Sequence, residues 1–132
     1  MYYYYQQNGG EEEWVAIKAI PYEEIEAVRP TFVTVLALSH LITPDMKRED
    51  LAKVKYEGPL YFDFDAADVM ESVEGVKELW AKMKKLGLEE SDVKLYLSGK
   101  KGLHLLVPPV VFMEKPGAVL NLPAIYKEMA FM

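Results

Sequence analysis

Asp63 and Asp65 stand two residues apart in the run Leu60-Tyr61-Phe62-Asp63-Phe64-Asp65. In an extended strand successive side chains alternate between faces, so Tyr61, Asp63 and Asp65 share one side and Leu60, Phe62 and Phe64 the other. The apolar side has an obvious use as core. The two carboxylates have none: unit charges ~4 Å apart repel by ~1 kcal/mol in water and ~4 kcal/mol at an effective dielectric of ~20. A hard divalent cation, Mg2+ or Mn2+, relieves that repulsion and takes oxygen ligands of this kind.

A second group of chemically able residues spans Ser98 to His104. If Ser98 lies opposite His104 in a hairpin, Leu97 faces Leu105, Tyr96 faces Leu106 and Leu95 faces Val107. Val93, Leu95, Leu97, Leu103, Leu105 and Val107 then gather on one face and leave Ser98 and His104 on the other. A slip of one residue would mix leucines with polar groups on both faces, which burial resists. The loop between them is Gly99-Lys100-Lys101-Gly102, whose glycines let backbone N–H groups turn inward as an anion nest, with Lys101 adding charge. Ser98 and the His104 ring can each donate a hydrogen bond to a phosphate. If this hairpin shares a sheet with Asp63 and Asp65, a metal site faces a phosphate cradle. That is the layout of phosphoryl or nucleotidyl transfer, where positioning and charge neutralisation do most of the work.

The surrounding elements are readable from local signals. The Tyr2 to Tyr5 run suits an edge strand or a partner-binding tip but reads more readily as irregular tail, followed by an Asn8-Gly9-Gly10 turn and an acidic run. Trp14 to Ile20 reads as a strand, Pro21 opens a short helix over Tyr22 to Val28, and Thr31 to Leu38 reads as one buried strand. A short helix is predicted over Asp45 to Val54, and Glu57-Gly58-Pro59 as the turn that launches the carboxylate strand. Behind that strand, Asp68 is an N-cap with Glu71 three residues on. Val69, Val73, Val76, Trp80, Met83 and Leu86 form one apolar helical face. Lys82, Lys84 and Lys85 suit the C-terminal end of the helix dipole, and Gly87 its stop. Strands over Val93 to Ser98 and Leu103 to Val107 follow, then a short extended piece over Val110 to Met113, then a last helix from Leu122 or Pro123 to Met132.

These elements predict an α+β protein: an N-terminal αβ part over 1–56, then a motif-bearing part over 57–132. The latter has the order β-α-β-β-α of an RRM-like or ferredoxin-like unit that lacks its last strand. The chain has 132 residues, enough for one domain, and is expected to be a piece of a longer protein. It carries a net charge of −6, which argues against a general nucleic-acid coat, although Lys82 to Lys101 is locally basic. No apolar run is long enough to span a membrane, and the absence of cysteine excludes disulfides and thiolate zinc sites and points to a cytoplasmic setting.

On these residues the chain resembles the archaeo-eukaryotic primase superfamily. Tyr61-Phe62-Asp63-Phe64-Asp65 is similar to its hydrophobic strand ending in Asp-x-Asp, and Ser98-Gly99-Lys100-Lys101-Gly102-Leu103-His104-Leu105 to its serine-to-histidine hairpin. The resemblance covers roughly residues 57–132. Pro108-Pro109 and the last helix look like those of plasmid and phage primase-polymerases. It implies a DNA-directed primase or polymerase that extends a template-directed strand with nucleoside triphosphates. Asp63 and Asp65 would ligate the catalytic metals, and Ser98, Gly99, Lys100, Lys101, Gly102 and His104 would bind the nucleotide phosphates. It also implies a DNA template and, as further partners, a helicase or other replication proteins. The family's third motif adds one carboxylate on a later strand. Neither Glu114 nor Glu128 fits it, so that residue is expected beyond 132, leaving this stretch incomplete for catalysis alone. An unfilled sheet edge would then be open to self-association. Two other readings remain: a haloacid-dehalogenase-like phosphohydrolase, which needs a helix after Ser98, and a non-catalytic primase-like binding module.

Overall fold

A computed structural model describes residues 1–7, 17–98 and 101–131. The chain is α+β, with two antiparallel sheets. It divides into two compact units, Met1–Gly58 with Gly117–Met132, and Pro59–Pro116. The chain passes from the first unit to the second between Gly58 and Pro59. The residues after 116, expected to belong with the motif-bearing part, group instead with the N-terminal part.

In the first unit β1 (Tyr2–Gln6) is the strand that the others assemble on. It pairs with β2 (Lys18–Pro21), with β3 (Phe32–Val33) and with β4 (Ala37–Leu38). The tyrosine run is thus a sheet strand and not a tail, in keeping with the strand preference of aromatic side chains. Tyr4 is anchored further by its hydroxyl, which accepts from Ile42 N–H at 2.6 Å. Of the strand expected over Trp14 to Ile20, residues 14–16 lie outside the described residues, as do Asn8, Gly9 and Gly10. A 3-10 turn at Tyr22–Glu24 leads into α1 (Ile25–Val28), which ends at Arg29 with φ 50°.

The single buried strand expected over Thr31 to Leu38 is broken. Val33 lies opposite Tyr5, and an unbroken ladder would bring residue 36 opposite Tyr2, but Leu38 is there. The two extra residues are taken up around Thr34, whose Oγ1 accepts from Tyr4 N–H while its own N–H donates to Tyr4 O. Phe32 and Val33 stay exposed as a result. The helix expected from Asp45 to Val54 shrinks to α2 (Arg48–Leu51), and a strand not foreseen, β5 (Lys55–Glu57), pairs with β4.

In the second unit β6 (Leu60–Asp65) has the bounds read from the sequence, and α3 (Val69–Lys85) follows it. Asp68 Oδ1 accepts from Glu71 N–H at 3.0 Å, closing the N-terminus. Glu71 Oε2 returns a bond one residue earlier than a capping box requires, from Ala67 N–H at 3.3 Å. At the other end Gly87 takes φ 94°, and the Gly87→Lys84 and Leu88→Met83 bonds complete a Schellman motif. The strands β7 (Lys94–Leu97) and β8 (Gly102–Val107) then form a hairpin, and the sheet order is β6-β8-β7.

α3 packs over β8 and β6. Its inward stripe keeps the middle of the one expected, with Val73, Val76 and Trp80 half-buried. Ser72 and Met83 are its buried residues, whereas Val69 and Leu86 at the two ends are exposed. Gly75 explains the fit, because a Cβ there would come within 2.8 Å of the Phe64 ring. Beneath the helix Leu60, Leu103, Leu105 and Val107 are buried.

After a 3-10 turn at Pro109–Val111, where an extended piece was expected, the chain returns to the first unit. There β9 (Val119–Leu120) pairs with β5, and α4 (Leu122–Ala130) packs on β5. Leu122 is fully buried, and the Tyr126 hydroxyl donates to Gly58 O at 2.6 Å. Those anchors are why the last helix does not complete the β-α-β-β unit. Among the described residues no helix is long and apolar enough to cross a membrane.

Candidate functional site

β8 lies between β6 and β7, so its registers decide which side chains meet. Asp63 is opposite His104 on one side, and Tyr96 is opposite His104 on the other. One pair along, Asp65 is opposite Gly102, and Ser98 N–H donates to Gly102 O at 2.9 Å. Asp63, Asp65, Ser98, Tyr96 and His104 therefore share a face of the sheet, the one opposite α3. The expectation that Ser98 and His104 join the aspartates on one side holds.

The hairpin register itself does not hold. Tyr96, not Ser98, lies across from His104, and Leu97 faces Leu103 instead of Leu105. The shift is two residues, so parity survives and every side chain keeps its face. Its cause lies at the turn. Ser98 N–H donates to Gly102 O, and Gly102 has no side chain to occupy the space above it. A Cβ on Gly102 would collide with the Ser98 Oγ and approach Phe64 O at 3.3 Å. Ser98 thus sits over Gly102 because that position is a glycine.

The polar face has a definite electrostatic order. His104 Nε2 is 3.3 Å from Asp63 Oδ1, an ion pair when the imidazole is protonated. The Asp63 side chain is 54% exposed and that of His104 32%, so the pair is open to solvent and to ligands. The Tyr61 ring meets His104 edge-on, with centroids 5.0 Å apart. Burial pushes the Tyr61 phenol above its ordinary range, and the Asp63 charge beside it pushes in the same direction.

Ser72 was not singled out by sequence reasoning, and it ties the site together. It is buried on α3, its hydroxyl donates to Lys101 O at 2.9 Å, and it accepts from Ala66 N–H at 3.3 Å. Phe64 O is also within reach at 3.2 Å. One hydroxyl thereby links the end of the carboxylate strand to the end of the hairpin loop. The signal in the sequence was a small hydroxyl residue one turn into a helix, at a stripe position otherwise filled by apolar groups.

Gly99 and Lys100 lie outside the described residues, and Lys101 is exposed. Glu114 is exposed in this unit, and Glu128 belongs to the other. Among the described residues no three His, Asp or Glu side chains converge on one point as a metal-binding group. The donors that Asp63 and Asp65 do supply suit one class of ion. Mg2+ is held typically by one or two carboxylates, with substrate phosphates and water filling its octahedron. Two exposed carboxylates on adjacent same-face positions fit that pattern.

His40, the other histidine, is exposed in the first unit, where its Nδ1 lies 2.7 Å from Ser39 Oγ. No protein-family model, curated protein or solved structure gives a significant match to this chain.

Proposed function

We propose that the second unit is the nucleotide-binding part of a DNA primase-polymerase, a nucleotidyltransferase using nucleoside triphosphates. The observation that carries this is the pair of registers that line up Asp63 with His104 and Asp65 with Gly102 and Ser98. Residues from the two motifs, more than thirty positions apart, meet on one open face. Asp63 and Asp65 would hold Mg2+ or Mn2+, which neutralises triphosphate charge when bound. His104 and Ser98 donate hydrogen bonds to phosphate oxygens, and the exposed Lys101 adds positive charge. Gly102 keeps the floor of the site low enough for Ser98 to reach across. Ser72 holds the loop and the strand end at a constant spacing.

A haloacid-dehalogenase-like reaction is less well supported, because the segment after Ser98 returns as β8 and not as a helix. The DNA template and replication partners follow from the proposed class, as does a cytoplasmic setting. Lys82, Lys84, Lys85 and Lys94 are exposed and place positive charge on a unit whose total is acidic.

Mn2+ titration followed by electron paramagnetic resonance, with and without a nucleoside triphosphate, tests the assignment. Asp63→Ala and Asp65→Ala should each abolish triphosphate-enhanced Mn2+ binding. His104→Ala should weaken triphosphate binding by tenfold or more with the fold intact. Undiminished binding in either aspartate variant sinks the metal assignment, and template-directed extension of a labelled primer then tests the reaction class.

A further inference from the structure

β7 is an edge strand. β8 takes one of its sides and, among the described residues, no strand takes the other. Because Ser98 N–H bonds to Gly102 O, alternation along the ladder turns the backbone groups of Ser98, Tyr96 and Lys94 inward to β8. Those of Leu95 and Leu97 point outward. The two leucine side chains lie on the α3 face of the sheet, beyond the helix, and are 53% and 74% exposed. Outward backbone groups that no described strand pairs with, flanked by exposed leucines, are a template for another strand. The opposite edge is protected by contrast. β6 carries Asp63 and Asp65 and is preceded by Pro59, whereas β7 has one charge, Lys94, and no proline.

We propose that β7 pairs antiparallel with β7 of a second copy of this chain, about a two-fold axis at Tyr96. Outward-pointing residues must meet outward-pointing residues, which restricts the registers available. The one centred on Tyr96 sets Leu95 of each copy opposite Leu97 of the other and Lys94 opposite a neutral Ser98. Centring on Lys94 would oppose two ammonium groups, and centring on Leu95 would match Leu97 with Val93 and leave one leucine pair, Leu95 with its own copy, in place of two. Self-pairing is thus favoured by the strand's own pattern: its two exposed leucines are equidistant from the axis. The product is a six-stranded sheet of order β6-β8-β7-β7-β8-β6, with the polar faces of both copies on the same side. A contact of this length is smaller than a standard stable interface of about 1,200–2,000 Å2, so the dimer forms and dissociates with concentration. The inference stands independently of the nucleotide-binding proposal.

Directed cross-linking of the full chain tests both the partner and the register. At the axis Tyr96 faces its own copy in a non-hydrogen-bonded pair, with Cα atoms about 4.5 Å apart, inside the disulfide range. Leu95 is offset from its own copy by two residues, beyond the ~7 Å limit for a bridge. The chain has no cysteine of its own. Under oxidised glutathione the Tyr96→Cys variant should form a covalent dimer at least tenfold faster than the Leu95→Cys variant. Sedimentation of the unmodified chain should show its mass rising from monomer to dimer with concentration. Leu97→Pro removes an outward N–H that β8 does not use, so it should keep the circular dichroism spectrum and remain monomeric. Leu97→Lys gives the same readout should the proline variant not fold. A monomer at every concentration, equal cross-linking at the two positions, or a dimer undiminished in a folded Leu97 variant would overturn the proposal.

Discussion

Asp63 and His104 face each other directly across β6 and β8, with Oδ1 3.3 Å from Nε2. The relationship is set by backbone pairing and not by long flexible side chains, so the two groups stay together as long as the ladder does. Tyr61 completes the cluster, edge-on to the imidazole and subject to the charge of the same carboxylate.

Tyr61 can therefore report on Asp63. Its phenol ionises above the ordinary range, first because burial disfavours phenolate and second because Asp63 repels it. Asp63→Asn removes the second cause and leaves the first. The Tyr61 titration, followed through the Cζ chemical shift, should move down but stay above that of a free tyrosine. A titration unchanged by the substitution would show that the Asp63 charge does not act there.

Ser72→Ala should destabilise the second unit by about 1–3 kcal/mol, because it strips a donor from Lys101 O and an acceptor from Ala66 N–H in a buried setting. Urea denaturation gives the magnitude. Amide exchange at Ala66 gives the location and should accelerate more than exchange in the middle of α3.

Gly102→Ala should cost about 1–3 kcal/mol through overpacking, since its new methyl group meets the Ser98 hydroxyl. Combining it with Ser98→Ala removes the colliding oxygen and leaves a tight Cβ contact at 3.4 Å. The double variant should recover part of the loss, with a coupling of about 0.5 kcal/mol or more in a double-mutant cycle. Strict additivity would mean that Ser98 does not sit over Gly102.

Tyr126 sets an alkaline limit on the first unit. Burial pushes its phenol up to about 12, against an ordinary value of about 10. A group whose folded-state value is raised contributes stability that is complete below pH ~10 and is lost as pH climbs towards its folded value. Chemical denaturation should show stability falling between about pH 10 and 12, and Tyr126→Phe should lessen that fall. At neutral pH the same variant should be about 1–2 kcal/mol less stable, because Gly58 O loses its donor.

The elements that could be read directly were those with strong local signals. Alternation placed β6 within its bounds, and the Asp68 cap, the lysine-rich last turns and Gly87 delimited α3. Period-two patterning also assigned Ser98 and His104 to the correct face of the hairpin, because parity is a property of each strand alone.

Partner and register are not properties of one strand. The two-residue shift that brings Tyr96 opposite His104 follows from how Ser98 packs over Gly102, a contact across the sheet. Tyr2 to Tyr5 became β1 because three other strands pair with it, although its own residues also suited a loose end. The last helix joined the first unit because Tyr126 reaches Gly58, 68 residues away in the chain. Alternation, caps and stops depend on neighbours a few residues apart, so they are written into the local order of side chains. Which strand lies beside which, and how far it slides, is decided by excluded volume and hydrogen bonds between distant segments once the chain has closed on itself.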